Sequence, residues 1–286
     1  EIAHTTIATI DHGSFELDGQ VYELETTKEA LIEGTLYYPP DSELGEWPKE
    51  PTSRAGAKAP KYTTEVSIVQ CSTLEGCHSL HSALAALEGD GDKRIGVLNF
   101  ASAKKPGGGF LTGAQAQEET IARSSTLYAS LMIDTAQEFY HLHHEGPKDG
   151  FYTHGMIYSP HVHLLRYDSG DWHPPFEVEV VTSPAVNAGD VRRKTYGENP
   201  DAVEAEIEHV MKERMARVLY LFENQGVRNL ILGSFGTGVF QNSVELVAKL
   251  WVELLTADGS RFKQSFERVL FAIIDTPTVT KFRDVF

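Results

Sequence analysis

Cysteine is scarce in this chain: Cys71 and Cys77 are the only two among 286 residues. A disulfide framework needs more, so the sequence suits a reducing, intracellular setting, cytoplasmic or nuclear, and a zinc cluster built from cysteines is excluded. Long apolar runs are missing too. None approaches the roughly 18 residues of a membrane-spanning helix, and Glu1-Ile2-Ala3-His4 lacks the charge-then-apolar layout of a secretory signal. Positive charge is in deficit: 25 Lys and Arg face 41 Asp and Glu, a net charge of −16. The long-range field therefore repels DNA, RNA and anionic lipid, so no membrane and no general DNA or RNA partner is expected. An anionic ligand would have to be held locally, by backbone amides and helix N-termini.

What is present is ordinary globular material. Hydrophobic residues make up 41% and charged residues 23%, enough for a chain of this length to bury a sizeable core. Ile2, Ile7 and Ile10 recur as on a helix, and a mixed stretch around Val21, Leu24, Leu31 and Tyr37 follows. Residues 39–61 hold Pro39, Pro40, Pro48, Pro51 and Pro60 and read as a long surface connection. From residue 64 the pattern is strand, helix, strand: Val66, Ile68 and Val69, then Leu80, Leu84 and Leu87 at helical spacing, then an apolar run over 94–100. Further β-rich runs lie at 156–165, 176–182, 229–235 and 269–275, several almost continuously apolar, as in strands covered on both faces. One helix is opened by Asn199-Pro200 and closed by Gly226; another follows Asn242-Ser243, with Val244, Val247, Trp251, Leu254 and Leu255 on one side. This alternation predicts an α/β fold of three layers, α/β/α, around a mixed sheet. Residues 1–62 read as a partly helical N-terminal extension packed on a domain over 63–286.

Two glycine-rich segments each follow a predicted strand, where open α/β sheets bind ligands. The first is Gly107-Gly108-Gly109-Phe110, leading to Gln117-Glu118-Glu119; glycines there permit positive φ and close approach of the backbone to a bulky ligand. The second is Gly236-Thr237-Gly238-Val239-Phe240-Gln241-Asn242, whose successive amides can form a nest for phosphate oxygens at a helix start. It lacks the Gly-Lys-Ser/Thr ending of a P-loop and is not Gly-x-Gly-x-x-Gly. Two such loops fit a diphosphate better than a monophosphate.

Glu118 and Glu119 are adjacent, so on a helix their side chains diverge by about 100° and serve different roles. Carboxylates beside phosphate-binding loops repel the ligand unless one is protonated in turnover or accepts hydrogen bonds from ribose hydroxyls. Glycosidic cleavage needs such a group, to protonate the leaving oxygen. The plainer reading is two solvated acids on a helix face. Other candidates are weaker: His141, His143 and His144 with His161 and His163 as a metal site, against a merely polar helix end; Cys71 or Cys77 as nucleophile, against a small apolar residue. Phe240, inside a glycine loop, is expected to lean over the ligand.

Taken jointly, these motifs resemble the microbial type of poly(ADP-ribose) glycohydrolase, a branch of the macrodomain superfamily. The match rests on Gly107-Gly108-Gly109 followed by Gln117-Glu118-Glu119, with Asn99-Phe100-Ala101-Ser102, Tyr158-Ser159-Pro160, Ser183-Pro184-Ala185-Val186-Asn187 and Gly236-x-Gly238-Val239-Phe240-x-Asn242 in support. The resemblance implies a macrodomain-like fold and an exo-type hydrolase that releases ADP-ribose from polymer ends, including polymer carried by modified proteins in the DNA damage response. It implies Glu119 as acid and water activator, Glu118 as holder of ribose hydroxyls, and amides of both loops as the cradle. Ser102, Phe110, Gln117, Gly236, Thr237, Gly238, Val239, Phe240 and Asn242 join Gly107, Gly108 and Gly109 as substrate contacts; no metal and no cofactor are implied. Thr237 stands where many relatives carry Cys, and the adenine contacts are not carried over. A non-catalytic reader of ADP-ribose and a hydrolase of single ADP-ribosyl groups remain the alternative functions.

Overall fold

The structure, a computed structural model, describes residues 1–49, 61–89 and 91–286. Its centre is a seven-stranded sheet of order β3-β6-β7-β5-β8-β9-β4. The strands are β3 (Leu36–Tyr38), β4 (Glu65–Gln70), β5 (Ile95–Phe100), β6 (Met156–Arg166), β7 (Trp172–Ser183), β8 (Asn229–Leu232) and β9 (Arg268–Ile273). The run from β7 to β4 is parallel, while β6 lies antiparallel between β3 and β7, so the sheet is mixed as the alternation of elements predicts.

Period-two alternation survives inside the apolar strands, sorting their side chains to two faces. Leu98, Val181, Leu230, Leu232, Val269 and Phe271 join one core; Ile95, Val97, Val180, Ile231, Leu270 and Ala272 join the other. Helices α8 (Pro200–Asn224), α9 (Val244–Leu255) and α10 (Thr276–Val285) cover the first through residues such as Met215, Phe222, Trp251 and Phe282. Helices α3 (Thr73–Ala85), α4 (Gln117–Ser124), α5 (Leu127–Leu131) and α6 (Asp134–Glu145) cover the second through Leu80, Ile121, Leu127 and Phe139. The three layers are therefore present. The caps expected from the sequence are also in place: Asn199 and Ser243 each accept from a backbone N–H of the following turn.

The N-terminal stretch is woven into this arrangement. Helix α1 (Ile2–His12) lies on α4, where Ala3 packs with Phe110 and Ala122 and the Thr6 hydroxyl donates to Arg123 O at 2.7 Å. A hairpin of β1 (Ser14–Leu17) and β2 (Gln20–Glu23) and helix α2 (Glu25–Gly34) lead to β3 at the sheet edge. Of the proline-rich connection, residues 50–60 lie outside the described residues. Its first part is anchored: Leu44 is fully buried and Trp47 Nε1 donates to Glu213 Oε2 at 2.8 Å.

Candidate active site

A cavity of about 440 Å³ opens beyond the C-terminal ends of the parallel strands, lined by Phe100 at the end of β5 and Ser102 and Lys104 after it, Ala185 after β7, residues 236–240 after β8, Asp275 after β9 and Thr73 after β4. Its floor carries Gln117, Glu118 and Glu119, the first turn of α4.

Strand splitting explains why α4 starts there. β5 follows β8 only as far as the pair Val97 and Ile231, while Ala101 N–H still donates to Ser183 O on the β7 side. Leu98 O and Phe100 N–H, facing the other way, would be left bare. Gln117 takes both: its Oε1 accepts from Phe100 N–H at 2.8 Å and its Nε2 donates to Leu98 O at 2.7 Å. The amide thus replaces a strand neighbour and pins the helix into the gap.

The two carboxyls that follow are held differently. Glu118, 2% exposed, accepts from Ser102 N–H at 2.6 Å, with Asn99 Nδ2 at 3.4 Å. Burial pushes its pKa from 4.5 up to about 8, against the lowering effect of the Ser102 and Asn99 hydrogen bonds. Glu119 accepts from Gly109 N–H at 2.9 Å through Oε1, and its Oε2 is buried with no hydrogen-bond partner among the described residues. Adjacent acids thus stand in unlike surroundings, as the helical geometry predicts.

The first glycine loop is shaped around them. Gly107 and Gly108 have φ of +68° and +60°, and a Cβ on Gly108 would stand 2.3 Å from Glu119 Oε1. Gly108 N–H closes a turn on Lys105 O, and Gly109 N–H is taken by Glu119, so these donors face the chain's own groups. Gly108→Ala is therefore expected to lower stability by only about 1–2 kcal/mol, the left-handed backbone strain, because a carboxyl end can swing aside. Displacing that carboxyl should nonetheless cut turnover at least tenfold. Wild-type turnover in a folded Gly108→Ala protein would show that Glu119 need not sit there.

In the second loop, the N–H groups of Gly238, Val239 and Phe240 are three successive donors without a partner among the described residues. Asn242 holds this loop from behind: its Nδ2 donates to Val186 O at 2.7 Å and Gly236 O at 3.0 Å. Gly236, at φ +74°, leaves no room for a side chain against Ala185. Thr237 Oγ1 is spent on Ser234 O, and the Phe240 and Tyr152 rings, both lining the cavity, pack together with centroids 5.9 Å apart. Tyr152 itself has φ +56° and is propped by fully buried Arg214, which donates to the carbonyls of Phe151, Tyr152 and Pro184.

Of the residues singled out from the sequence, Ser102, Gln117, Glu118, Glu119, Gly236, Thr237, Gly238, Val239 and Phe240 line the cavity. Phe110 is instead buried under α1, and Asn242 and the three glycines form the supports described above. Thr73, Tyr152, Ser234, Ile274 and Asp275 line it without having been singled out. Asp275 was legible: it caps α10 ahead of Pro277 at a strand tip. Tyr152 carried no such signal, since its placement depends on Arg214, 62 residues away.

The family model for "Microbial-type PARG, catalytic domain" matches residues 3–167, more than half of the chain. The chain belongs to this family. Among solved structures, poly(ADP-ribose) glycohydrolase from Thermomonospora curvata is 35% identical, covers 100% of this chain and 98% of its own, and superposes with a TM-score of 0.86; its complex with the inhibitor ADP-HPD gives 0.83. The Deinococcus radiodurans enzyme in complex with ADP-ribose is 32% identical over 95% of this chain and 98% of its own, with a TM-score of 0.75. No curated protein matches. As a microbial-type PARG, the chain is a glycosyl hydrolase of the poly(ADP-ribose) glycohydrolase type.

The rival chemistries find no support in this PARG. His143 is buried, not on a polar surface as its helix end suggests, with Nδ1 on Phe139 O and Nε2 facing Thr153. His144 Nε2 lies 2.9 Å from Lys104 O, while His161 and His163 approach Glu177. Among the described residues no three His, Cys, Asp or Glu are grouped as a metal site. Burial pushes the Cys71 thiol up to about 11 and Cys77 higher still, so neither supplies a thiolate at neutral pH.

Proposed function

We propose that this PARG removes ADP-ribose from the end of poly(ADP-ribose) by cutting the terminal ribose–ribose O-glycosidic bond, with Glu119 as general acid and base. What carries the proposal is Glu119 Oε2, without a partner among the described residues, in a cavity also lined by Gly238, Val239 and Phe240, whose three N–H groups have none among those residues either. Those amides, at Gly238, Val239 and Phe240, receive the diphosphate that the net charge of −16 would otherwise repel. Gly107, Gly108 and Gly109 serve the site by shaping the carboxyl pocket. Gly109 N–H fixes Glu119 Oε1, leaving Oε2 to give its proton to the departing ribose oxygen and then to draw one from water. Glu118, neutral at pH 7, accepts from Ser102 N–H and turns its own proton toward a ribose hydroxyl. Phe240 and Tyr152, packed on each other, present one aromatic wall to the distal ribose. Polymer attached to proteins, as laid down in the DNA damage response, is the expected substrate.

Release of ADP-ribose from polymer, compared with release from a target carrying a single ADP-ribosyl group, tests this reading. Polymer should be consumed and the single group left. Polymer bound but not cut would make the protein a reader, and removal of the single group would make it a mono-ADP-ribosyl hydrolase.

A further inference from the structure

A second feature of the molecule runs outward from the cavity, from the loop that carries Lys104. Lys104 lines the cavity, and Lys105 follows it on the surface of the loop that leads to Gly109. His144 at the end of α6 joins this loop through Lys104 O, and Lys148 Nζ reaches back to His144 O. The next contact extends the row: Lys194 Nζ, at the end of α7 (Ala188–Lys194), donates to Lys148 O, with Arg193 beside it. Three separate segments thus converge, through successive contacts, into one row of cations starting at the cavity mouth. Its acidic neighbours are Glu145, Asp149 and Asp190; Asp190 is held by Arg193 and by Lys194 at 3.5 Å, while Lys104, Lys105 and Lys148 form no ion pair among the described residues. In a chain with 41 acidic and 25 basic residues, a local excess of cations is against the overall trend.

Just past the row stands Tyr196, 94% exposed, the most exposed of the large hydrophobic side chains. An aromatic ring left in water has no folding role, and a ring beside a strip of cations is the pairing used to hold single-stranded polyanions, with bases stacked on rings and phosphates along the charges.

We propose that Lys104, Lys105, Lys148, Arg193, Lys194 and Tyr196 form a track for the poly(ADP-ribose) that continues beyond the scissile bond. The inference rests on the polymer-hydrolase reading above. A polymer leaving the linkage beside Glu119 passes over the loop of Lys104 and Lys105, and its next diphosphates meet Lys148, Arg193 and Lys194. The following adenine stacks on Tyr196. The track binds the part of the substrate that free ADP-ribose lacks, so it makes the enzyme prefer long chains without touching the reacting atoms.

The test uses the full chain carrying Glu119→Gln, so that polymer persists during the measurement, with and without Lys148→Ala, Arg193→Ala and Lys194→Ala together. Affinity for long polymer should fall about tenfold at physiological salt, and the slope of log affinity against log salt should lessen by about 2, from three lost phosphate contacts. The Kd for free ADP-ribose, read on the same proteins, should stay unchanged, which also reports an intact fold. Separately, Tyr196→Ala should weaken polymer binding roughly five- to tenfold and Tyr196→Phe should restore it. An unchanged polymer affinity and salt slope would overturn the track, as would an equal loss for polymer and ADP-ribose. If wild-type protein bound polymer without releasing ADP-ribose, the hydrolase reading would fail while the track would still be measured by these affinities.

Discussion

Glu119→Gln is expected to lower the rate of ADP-ribose release by about two to four decades, the usual contribution of an acid or base group, with little change in affinity for ADP-ribose. The amide is the right probe because it preserves what the structure shows Glu119 doing for the fold. Its oxygen still accepts from Gly109 N–H, as Oε1 does at 2.9 Å, and its bulk still fills the space beside Gly108. Only the second atom changes, from a carboxyl oxygen that can hold or release a proton to an amide nitrogen that cannot. Single-turnover release from polymer, set beside titration with ADP-ribose, separates the two effects. Full degradation by the variant would remove Glu119 from the chemistry, and the free Oε2 would then need another explanation.

The second large effect concerns Glu118 and pH. Burial favours its neutral form in the folded protein and places its pKa near 8, against 4.5 for an ordinary carboxyl. The stabilisation that goes with protonation is complete below pH 4.5, declines as pH rises, and is gone above about 8. A shift of this size corresponds to at most about 5 kcal/mol, or roughly 10 °C in Tm for a chain of this length. Glu118→Gln is neutral at every pH. Its melting temperature relative to wild type should therefore climb steadily between pH 5 and 8 and level off beyond. Parallel melting curves across that range would mean that Glu118 is ionised at low pH and that its surroundings solvate the charge.

Much of the fold was legible because the relevant signals are local. Asn199-Pro200 and Ser243 mark helix starts by the same cap chemistry that the structure displays. The apolar strands could be placed because residues one apart serve opposite faces and both faces are covered. The site was partly legible for a similar reason: glycine-rich segments after strands are expected at strand tips, and residues 236–240 line the cavity there, while the glycine triplet packs against Glu118 and Glu119. The illegible part was the division of labour inside the site. Gln117 and the glycine triplet look like ligand contacts as a motif. In the structure Gln117 completes a broken strand pairing, and Gly109 orients an acid.

The sequence by itself determined the kinds of element, their order, the signature that joins Gly107, Gly108 and Gly109 to Gln117, Glu118 and Glu119, and the need for local amides in a chain of net charge −16. Tertiary structure alone decided which of two neighbouring glutamates is sealed off, which three successive loop amides have no partner among the described residues, and that Arg214 holds Tyr152 on the wall. The reason is physical: a side chain's ionisation and a donor's availability depend on what surrounds them in space. Those surroundings are assembled here from α1, β5, the loop after β8 and a helix in the second half of the chain.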